Sequence, residues 1–272
     1  MNATSARVAA PVMEVFASVQ GEGLYAGELQ SFVRLRGCPM RCVWCDTPGS
    51  WTVPTDRQAR VAAPTGTGRH ATWATPFQVT CWLGEVEPGE SRSVSITGGE
   101  PLLWPEFLLA IRGMLGERRM HLETAGGHPE TLARVRDAFQ HISLDLKLPR
   151  DLEPPVELAG PFDGSAPTRE RAPRDSEEWA VARRRSLELV VGRDACAKVV
   201  VAGGRQPAEF EPLLEDVARI APDVPVFVQP ASPVAGTLAP TLDAIVEVAE
   251  RARDLDLAVR ILPQVHRALC AP

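Results

Sequence analysis

The sequence lacks a long tract of basic residues. Its 29 Lys and Arg residues are outnumbered by 35 Asp and Glu residues, which gives a formal net charge of −6. The triplet Arg183-Arg184-Arg185 lies within a predicted helix, where a solvated helix face accounts for it. Proteins that follow a phosphate backbone need an extended positive surface. We therefore expect no nucleic-acid partner.

The sequence also lacks any apolar run that approaches the roughly 20 residues needed to span a bilayer. Residues 1–11 are rich in alanine but contain no hydrophobic core of a signal peptide. We therefore expect a cytoplasmic protein that makes no contact with a membrane.

Cysteine is scarce, with six residues in a chain of 272. Disulfide frameworks are typical of small secreted domains and do not suit a chain of this size without an export signal. Cys81, Cys196 and Cys270 are isolated and are interpreted as ordinary thiols. The other three cysteines lie within eight positions of one another.

These three, Cys38, Cys42 and Cys45, follow a predicted strand with spacings of three and then two residues. Thiolates are soft ligands that select iron–sulfur clusters, zinc or copper(I). Zinc sites with four ligands usually combine two well-separated pairs, whereas this loop offers three thiolates and no nearby fourth. A cubane cluster on three thiolates would keep one iron open for a ligand. A non-catalytic zinc-binding module remains the alternative.

Apolar runs alternate with helical patterns along most of the chain. This alternation predicts a parallel sheet covered by helices, in a single domain spanning residues 1–272. The predicted strands are Met13–Val19, Ser31–Arg36, Ser93–Thr97, Met120–Glu123, Ile142–Leu148, Ala197–Val201, Val226–Gln229 and Val259–Leu262.

Two segments, about 48–92 and 151–175, do not follow this alternation. The first contains several Pro, Gly and Thr residues and shows no sustained helical period, and Trp51, Trp73 and Trp82 are its candidate anchors. Both segments are interpreted as family-specific insertions or loops. After the second one, Ser176 is expected to be the N-cap of a helix that extends to Val191.

Short sequence motifs before and after the cysteines resemble those of a known family. Cys38, Cys42 and Cys45 form the C-x3-C-x2-C pattern of the radical S-adenosylmethionine (SAM) superfamily. The words 20–23 (QGEG), 97–101 (TGGEP), 123–124 (ET) and 264–266 (QVH) narrow the resemblance to the 7-carboxy-7-deazaguanine synthases. The matching segments run from about Val12 to Pro272. The resemblance implies an α/β fold, a partial (β/α)6 barrel of the radical SAM type with insertions, whose active-site residues lie at the C-terminal ends of the strands.

The resemblance implies three cofactors, a [4Fe–4S] cluster, SAM and Mg²⁺. The cluster would be held by Cys38, Cys42 and Cys45, and its open iron would chelate SAM, which is then cleaved to a 5′-deoxyadenosyl radical. The SAM contacts carried over from the family are Gly98, Gly99, Glu100, Glu123, Thr124, Asp145, Lys147 and Gln229. For Lys147, a structural ion pair is an equal alternative to contact with SAM.

The implied reaction converts 6-carboxy-5,6,7,8-tetrahydropterin to 7-carboxy-7-deazaguanine by hydrogen abstraction, ring contraction and loss of ammonia. Thr47 would ligate Mg²⁺, with substrate oxygens completing the coordination shell. The guanidinium of Arg34 suits a carboxylate, and the C-terminal carboxylate of Pro272 suits the guanidine-like edge of a pterin. The implied substrate contacts are Val19, Gln20, Gly21, Arg34, Thr97 and Pro272.

A glycyl-radical activating enzyme is the second alternative, because it shares the cysteine motif but acts on a protein. The motifs at residues 20–23 and 264–266 argue against this alternative, because they resemble the 7-carboxy-7-deazaguanine synthases. The implied partners are an electron donor such as a flavodoxin or ferredoxin and a second copy of the chain in a homodimer. His70, His121, His128 and His141 show no paired spacing and are interpreted as ordinary residues.

Overall fold

Strands and helices alternate along most of the chain in the computed structural model, which describes residues 8–87, 89–234 and 236–271. None of the described helices is long and apolar enough to cross a membrane. The strands are β1 (Ala10–Val19), β2 (Leu29–Leu35), β3 (Arg41–Cys42), β4 (Gln58–Ala63), β5 (Gly66–Ala71), β6 (Trp73–Ala74), β7 (Ser93–Gly98), β8 (Met120–Thr124), β9 (His141–Leu146), β10 (Leu152–Glu153), β11 (Ala195–Val201), β12 (Val226–Pro230) and β13 (Val259–Ile261). The helices are α1 (Pro76–Val86), α2 (Pro105–Leu115), α3 (Pro129–Val135), α4 (Ser176–Val190), α5 (Glu211–Ile220), α6 (Leu242–Asp254) and α7 (Val265–Ala268).

One large sheet dominates the described part of the chain, with the strand order β13-β12-β11-β9-β8-β7-β2-β1-β4-β5 and with β6 beside β1. From β2 to β13 all neighbouring strands in this order are parallel. Strand β1 is antiparallel to β2 and parallel to β4. The helices α1 to α6 connect the parallel strands from β2 onwards. The predicted α/β fold with a partial barrel is therefore confirmed.

The parallel strands present apolar side chains to the helices and polar side chains to the barrel interior. Val94 and Ile96 of β7 and Leu122 of β8 belong to the main hydrophobic core. The residues between them, Ser95 and His121, are also buried but face the other way and form hydrogen bonds inside the barrel. Because successive side chains of a strand point to opposite faces, this alternation creates a polar interior.

Segment 48–92 is more regular than its sequence predicts. Strands β4 and β5 form a hairpin that extends the main sheet, and helix α1 begins with a capping box between Thr75 and Gln78. The interpretation of this segment as an insertion or loop did not include the 11-residue helix that it contains. Trp82 is buried in the main core, and Trp73 packs edge-on against Trp104 at 5.5 Å between ring centroids.

Segment 151–175 is mostly loop, as predicted, but it is tied to the cysteine loop. Leu152 in β10 pairs with Cys42 in β3, and the Val156 N–H donates to the Pro39 carbonyl at 2.8 Å. Farther along, the Glu170 carboxylate accepts hydrogen bonds from the first turn of α3. The segment therefore supports the cysteine loop through backbone hydrogen bonds.

Asp175, rather than Ser176, is the N-cap of α4. Its carboxylate accepts hydrogen bonds from the Glu177 and Glu178 N–H groups, at 3.0 and 2.9 Å. The Asp175 backbone is extended, with φ −141° and ψ 177°, as an N-cap requires. A carboxylate is also favoured at the positive end of a helix, which explains why the prediction was wrong by one residue.

Helices α4 and α5 are joined by a buried ion pair between Arg183 and Asp216, with a shortest N–O distance of 2.6 Å. Replacing Arg183 by alanine leaves Asp216 buried with weaker partners. We expect Arg183→Ala to lower the free energy of unfolding by about 3 kcal/mol, because a buried charge that loses its partner is costly. Urea denaturation followed by circular dichroism measures this change.

Arg185 provides the matched control, because it lies on the same helix and pairs with Glu188 while being largely exposed. Arg185→Ala should change the free energy of unfolding by less than about 0.5 kcal/mol. Equal losses in the two variants would contradict a structural role for the buried pair.

Candidate functional site

A polar cavity of about 190 Å³ opens at the C-terminal ends of the parallel strands. Strand ends of this kind are where ligands bind in parallel α/β folds. Of the residues predicted for the site, Glu100 does not line the cavity and Pro272 lies outside the described residues. The remaining predicted residues line it: Val19, Gln20, Gly21, Arg34, Cys38, Cys42, Cys45, Thr47, Thr97, Gly98, Gly99, Glu123, Thr124, Asp145, Lys147 and Gln229.

The three motif cysteines line one wall of this cavity as free thiols. Burial raises the pKa of the Cys42 thiol to about 11 and raises that of Cys38 further. Neighbouring thiols add to both shifts, while Lys147 lowers the pKa of Cys42. Such thiols stay protonated near neutral pH unless a metal replaces the proton.

The donor set suits an iron–sulfur cluster better than a single ion. Within the described ranges, no three His, Cys, Asp or Glu side chains come close enough together to hold one metal ion. A cubane cluster is wider than an ion, so its cysteine ligands lie farther apart. Met40 and Trp179 pack with Cys38 in a small apolar group, which supplies the hydrophobic surroundings such clusters need. The residues present therefore fit a [4Fe–4S] cluster.

Asp151 holds the cysteine loop from outside the cavity. Its carboxylate, fully buried, accepts hydrogen bonds from the Trp44 indole at 3.0 Å and from the Arg205 guanidinium. Its backbone carbonyl accepts the Val43 N–H at 2.9 Å. The Trp44 ring in turn covers the ammonium of Lys147 at 4.5 Å. The sequence motif alone did not indicate this support.

Gly98 brings the end of β7 against β2, and Gly99 brings the turn after β7 against the start of the cysteine loop. A Cβ on Gly98 would lie 2.2 Å from the Leu35 carbonyl oxygen, and one on Gly99 would lie 2.2 Å from the Gly37 carbonyl oxygen. Gly98 also has a φ of +131°, which disfavours other residues. Both glycines are required by packing between two backbones, whatever ligand they contact.

Glu100 acts behind the cavity rather than in its wall. Its carboxylate accepts hydrogen bonds from the Thr124 hydroxyl at 2.7 Å and from the Leu102 and Ala125 N–H groups, at 3.0 and 3.1 Å. These bonds tie the turn after β7 to the end of β8. The carboxylate predicted to contact SAM is thus occupied by the protein itself in this structure.

A buried lysine at the base of the cavity collects three carboxylates. The Lys198 ammonium lies 2.9 Å from Asp145 and 3.9 Å from Glu123, and it donates to Glu22. Burial opposes its charge, but Asp145, Glu22 and Glu123 together raise the pKa of Lys198 well above its usual value. Burial raises the pKa of Glu123, although Lys198 opposes this rise.

Sequence reasoning missed Lys198, which lies within the apolar strand β11. A single lysine in a run of Ala, Cys and Val was the available signal, because a charge in a buried strand needs a partner. Lys147 forms an ion pair with Asp145 at 2.9 Å. Lys147 therefore forms the structural ion pair that was the alternative to a SAM contact, although its side chain also lines the cavity.

Two glutamines occupy the cavity in different ways. The Gln20 amide donates to Glu123 at 3.0 Å, and its oxygen accepts the Glu22 N–H at 3.1 Å. Both ends of Gln20 are thus bonded within the protein. The Gln229 amide donates to Glu22 at 3.2 Å, but its buried oxygen has no partner among the described residues. That unpaired acceptor suits a ligand with N–H or O–H donors.

Arg34, Asp46 and Thr47 form the rim near the last cysteine. The Arg34 guanidinium donates to Glu14 at 2.8 Å and approaches the Thr47 hydroxyl at 3.5 Å. The Thr47 hydroxyl donates to the Asp46 carboxylate at 2.9 Å. This rim thus combines one guanidinium with hard oxygen atoms.

Gln264 and His266 of the C-terminal motif line the cavity, and His266 lies against Gly21. A Cβ at Gly21 would lie 1.8 Å from His266 Nδ1, so any other residue at this position would displace the imidazole. The Gln264 amide donates to Glu22 at 2.7 Å and to Asp46 at 3.1 Å. Gly21 is a substrate contact implied by the family resemblance, and in this structure the group that approaches it is the imidazole of His266.

Comparison with known proteins agrees with this arrangement. Residues 32–182 match the sequence profile of the Radical SAM superfamily. The chain is 32% identical to the 7-carboxy-7-deazaguanine synthase of Methanothermobacter thermautotrophicus over 267 residues, covering 96% of this chain and 97% of that protein. It is 31% identical to the synthase of Geobacter sulfurreducens, covering 95% and 96%. The chain belongs to the 7-carboxy-7-deazaguanine synthase family.

A solved structure supports the same fold. The crystal structure of QueE from Escherichia coli superimposes with a TM-score of 0.57 at 22% identity and covers 93% of each chain. Family membership makes the chain a radical SAM enzyme and confirms the resemblance inferred from the cysteine motif. The zinc-binding module and the glycyl-radical activating enzyme are thereby set aside.

Replacing Cys38, Cys42 or Cys45 by alanine should abolish assembly of the cluster, because each removes one of three thiolate ligands. Anaerobic reconstitution followed by iron and sulfide analysis should give about four iron atoms per unmodified chain and much less in each variant. Cys81→Ala and Cys270→Ala are the controls, since both cysteines are exposed and outside the cavity. Loss of iron from either control would contradict the ligand assignment.

Proposed function

We propose that this enzyme converts 6-carboxy-5,6,7,8-tetrahydropterin to 7-carboxy-7-deazaguanine, with loss of ammonia, in the synthesis of 7-deazapurines. The observation that carries the proposal is the convergence on one cavity of the family words Gln20–Glu22, Thr47 and Gln264–His266 with the three cysteines. The cysteine motif alone would fit any radical SAM enzyme. The additional motifs are the ones that carry the resemblance to the 7-carboxy-7-deazaguanine synthases.

The cavity divides into a cofactor side and a substrate side. Cys38, Cys42 and Cys45 would hold a [4Fe–4S] cluster, and SAM would lie along the ends of β7 to β12. When bound, these cofactors supply the radical that starts the reaction. The unpaired Gln229 oxygen at the end of β12 is the acceptor available to SAM. The predicted contacts Gly98, Gly99, Thr124, Asp145 and Lys147 line the same side.

The substrate would lie between β1 and the rim. Arg34 and Thr47 face each other there, so the substrate carboxylate would meet a guanidinium and a Mg²⁺ ion held by the Thr47 hydroxyl. The pterin edge would then face Val19 to Gly21 and Thr97. Glu22 and Glu123 lie deeper, where carboxylates can exchange protons with the ring. For Glu123 this role is additional to the SAM contact that the family resemblance implies. The terminal carboxylate of Pro272 remains part of the proposal from the family resemblance alone.

Further parts of the proposal also come from the family resemblance. An electron donor of the flavodoxin or ferredoxin type would reduce the cluster, and the enzyme would act as a cytoplasmic homodimer. A single domain would span residues 1–272, with the segments 48–92 and 151–175 as family-specific insertions.

Anaerobic turnover tests the reaction directly. The reconstituted enzyme, supplied with the carboxypterin, SAM, Mg²⁺ and a reductant, should form 7-carboxy-7-deazaguanine and ammonia in equal amounts, as measured by liquid chromatography and an ammonia assay. SAM cleavage without consumption of the pterin would show that the enzyme is a radical SAM enzyme with another substrate.

Replacing Thr47 by valine should weaken Mg²⁺ binding, because the variant keeps the shape but loses the oxygen ligand. The Mg²⁺ concentration for half-maximal activity should rise by at least about tenfold, while iron content stays normal. Thr237→Val is the matched control, since the Thr237 hydroxyl bonds to the Val43 carbonyl near the same loop but outside the cavity. An unchanged titration for Thr47→Val would remove Thr47 from the site.

A further inference from the structure

A second, smaller cavity lies beneath the active-site cavity, at the floor of the barrel. Its volume is about 10 Å³, which is close to the space that the centre of one water molecule needs. Every residue that lines it carries a polar side chain, and a cavity of this size with several hydrogen-bonding groups can hold one water molecule. The residues that line it are Gln20, Glu22, Tyr25, His121, Glu123, His141, Ser143 and Lys198.

The side chain of Tyr25 closes this floor cavity from below. Its ring packs against His121 at 4.6 Å and against His141 at 4.8 Å between centroids, and the two imidazoles are 5.2 Å apart. Tyr25 precedes β2, whereas the histidines begin β8 and β9, so all three belong to the N-terminal end of the barrel. Two histidines that appear unrelated in the sequence thus face one space.

His121 leaves one hydrogen-bonding atom without a partner. Its Nδ1 lies 3.0 Å from the Gln30 amide nitrogen, but its Nε2 has no partner among the described residues, although the ring is only 1% exposed. Burial lowers the pKa of His121 to about 3, so the ring is neutral. A buried, neutral ring nitrogen normally has a hydrogen-bond partner, and a water molecule in the floor cavity would provide it.

His141 connects the floor cavity to the protein surface. Its Nδ1 lies 2.9 Å from the Asp194 carboxylate, and 35% of the Asp194 side chain is exposed. The groups facing His141 are the Tyr25 phenol, the Cys196 thiol at 3.7 Å from Nε2, the His121 ring, the Arg119 guanidinium and the Lys198 ammonium. Asp194, as a partly exposed carboxylate, can pass a proton from His141 to solvent.

Glu123 connects the floor cavity to the active site. Its carboxylate lines both cavities, and it is held between the Gln20 amide and the Lys198 ammonium. Gln20, Glu22 and Lys198 line both cavities as well, so side chains in contact with one another join the two spaces and no open channel is needed for proton transfer. A carboxylate at the base of the substrate site can take a proton above and release it below.

We propose that Glu123, one floor-cavity water, His141 and Asp194 form a proton relay from the active site to the N-terminal face of the barrel, with His121 positioning the water. The need for such a relay rests on the proposed function. Ring contraction with loss of ammonia requires carbon-bound hydrogens to leave as protons and the departing nitrogen to gain protons. Protons exchanged at the base of a cavity filled by substrate and cofactor need a route to solvent.

Each transfer along the relay moves a proton and leaves the heavy atoms in place. Glu123 takes a proton from a ring carbon, and the electron pair of the broken C–H bond stays with the substrate. The protonated carboxyl passes that proton to the water, which gives one of its own protons to His141. His141 releases its Nδ1 proton to Asp194, from which it passes to solvent. The departing nitrogen is protonated by the same relay in reverse.

Asp194→Asn and His141→Gln test the relay, because both keep hydrogen-bonding capacity while removing a group that can take up a proton. Each should lower kcat for the carboxypterin by at least about tenfold and increase the solvent deuterium isotope effect on kcat. The KM for the pterin and the rate of SAM cleavage without substrate should not change. The partly exposed position of Asp194 means that its variant should fold normally.

His128→Gln is the matched control, since His128 is also fully buried with no partner on either ring nitrogen within the described ranges, but it lies outside both cavities. Its isotope effect should equal that of the unmodified enzyme. An unchanged kcat and isotope effect in Asp194→Asn and His141→Gln would overturn the relay, as would an equal isotope-effect increase in His128→Gln.

A high-resolution crystal structure gives a readout that is independent of the reaction. It should show a water molecule within hydrogen-bonding distance of His121 Nε2 and the Glu123 carboxylate. A dry floor cavity would overturn the relay even if the enzyme makes 7-carboxy-7-deazaguanine. If the unmodified enzyme cleaves SAM but does not consume the pterin, the proposed substrate is wrong. In that case the presence or absence of the water molecule in the floor cavity still tests the relay.

Discussion

The buried ammonium of Lys198 is the interaction on which the barrel interior depends. A charge removed from water costs several kcal/mol unless ionic partners and hydrogen bonds compensate for it. Here the partners are Glu22 after β1, Glu123 in β8 and Asp145 in β9. One cation in β11 therefore holds three other elements around the base of the cavity. Loss of any one carboxylate would alter the charge felt by the others.

This polar interior distinguishes the molecule from complete (β/α)8 barrels, whose centres are filled by branched apolar side chains. The outer faces of the strands still follow the usual rule, with Val94, Ile96 and Leu122 packed beneath the helices. The inner faces carry amides, carboxylates and imidazoles instead. The barrel thus has room for ligands at its upper end and for water at its floor.

The cysteine loop depends on residues far from it in the chain. Leu152 pairs with Cys42, Asp151 anchors Trp44, and Gly99 allows the turn after β7 to approach the start of the loop. A loop of three cysteines would otherwise be free to move, and a cluster requires its ligands in defined positions. Segment 151–175, which looks irregular in the sequence, is thus part of the site's construction.

The sequence by itself determined the parallel α/β architecture and the cysteine loop, because strand alternation and cysteine spacing are local properties of the chain. The other predicted residues of the cavity came from the family resemblance of its motifs. Helix α1 was not predicted, although the spacing of Thr75 and Gln78 in its capping box is a local signal. The tertiary structure alone decided what depends on distant partners. Lys198 meets Glu22 across 176 positions, His266 covers Gly21, and His121 and His141 share one space only because parallel strands bring their N-terminal ends together.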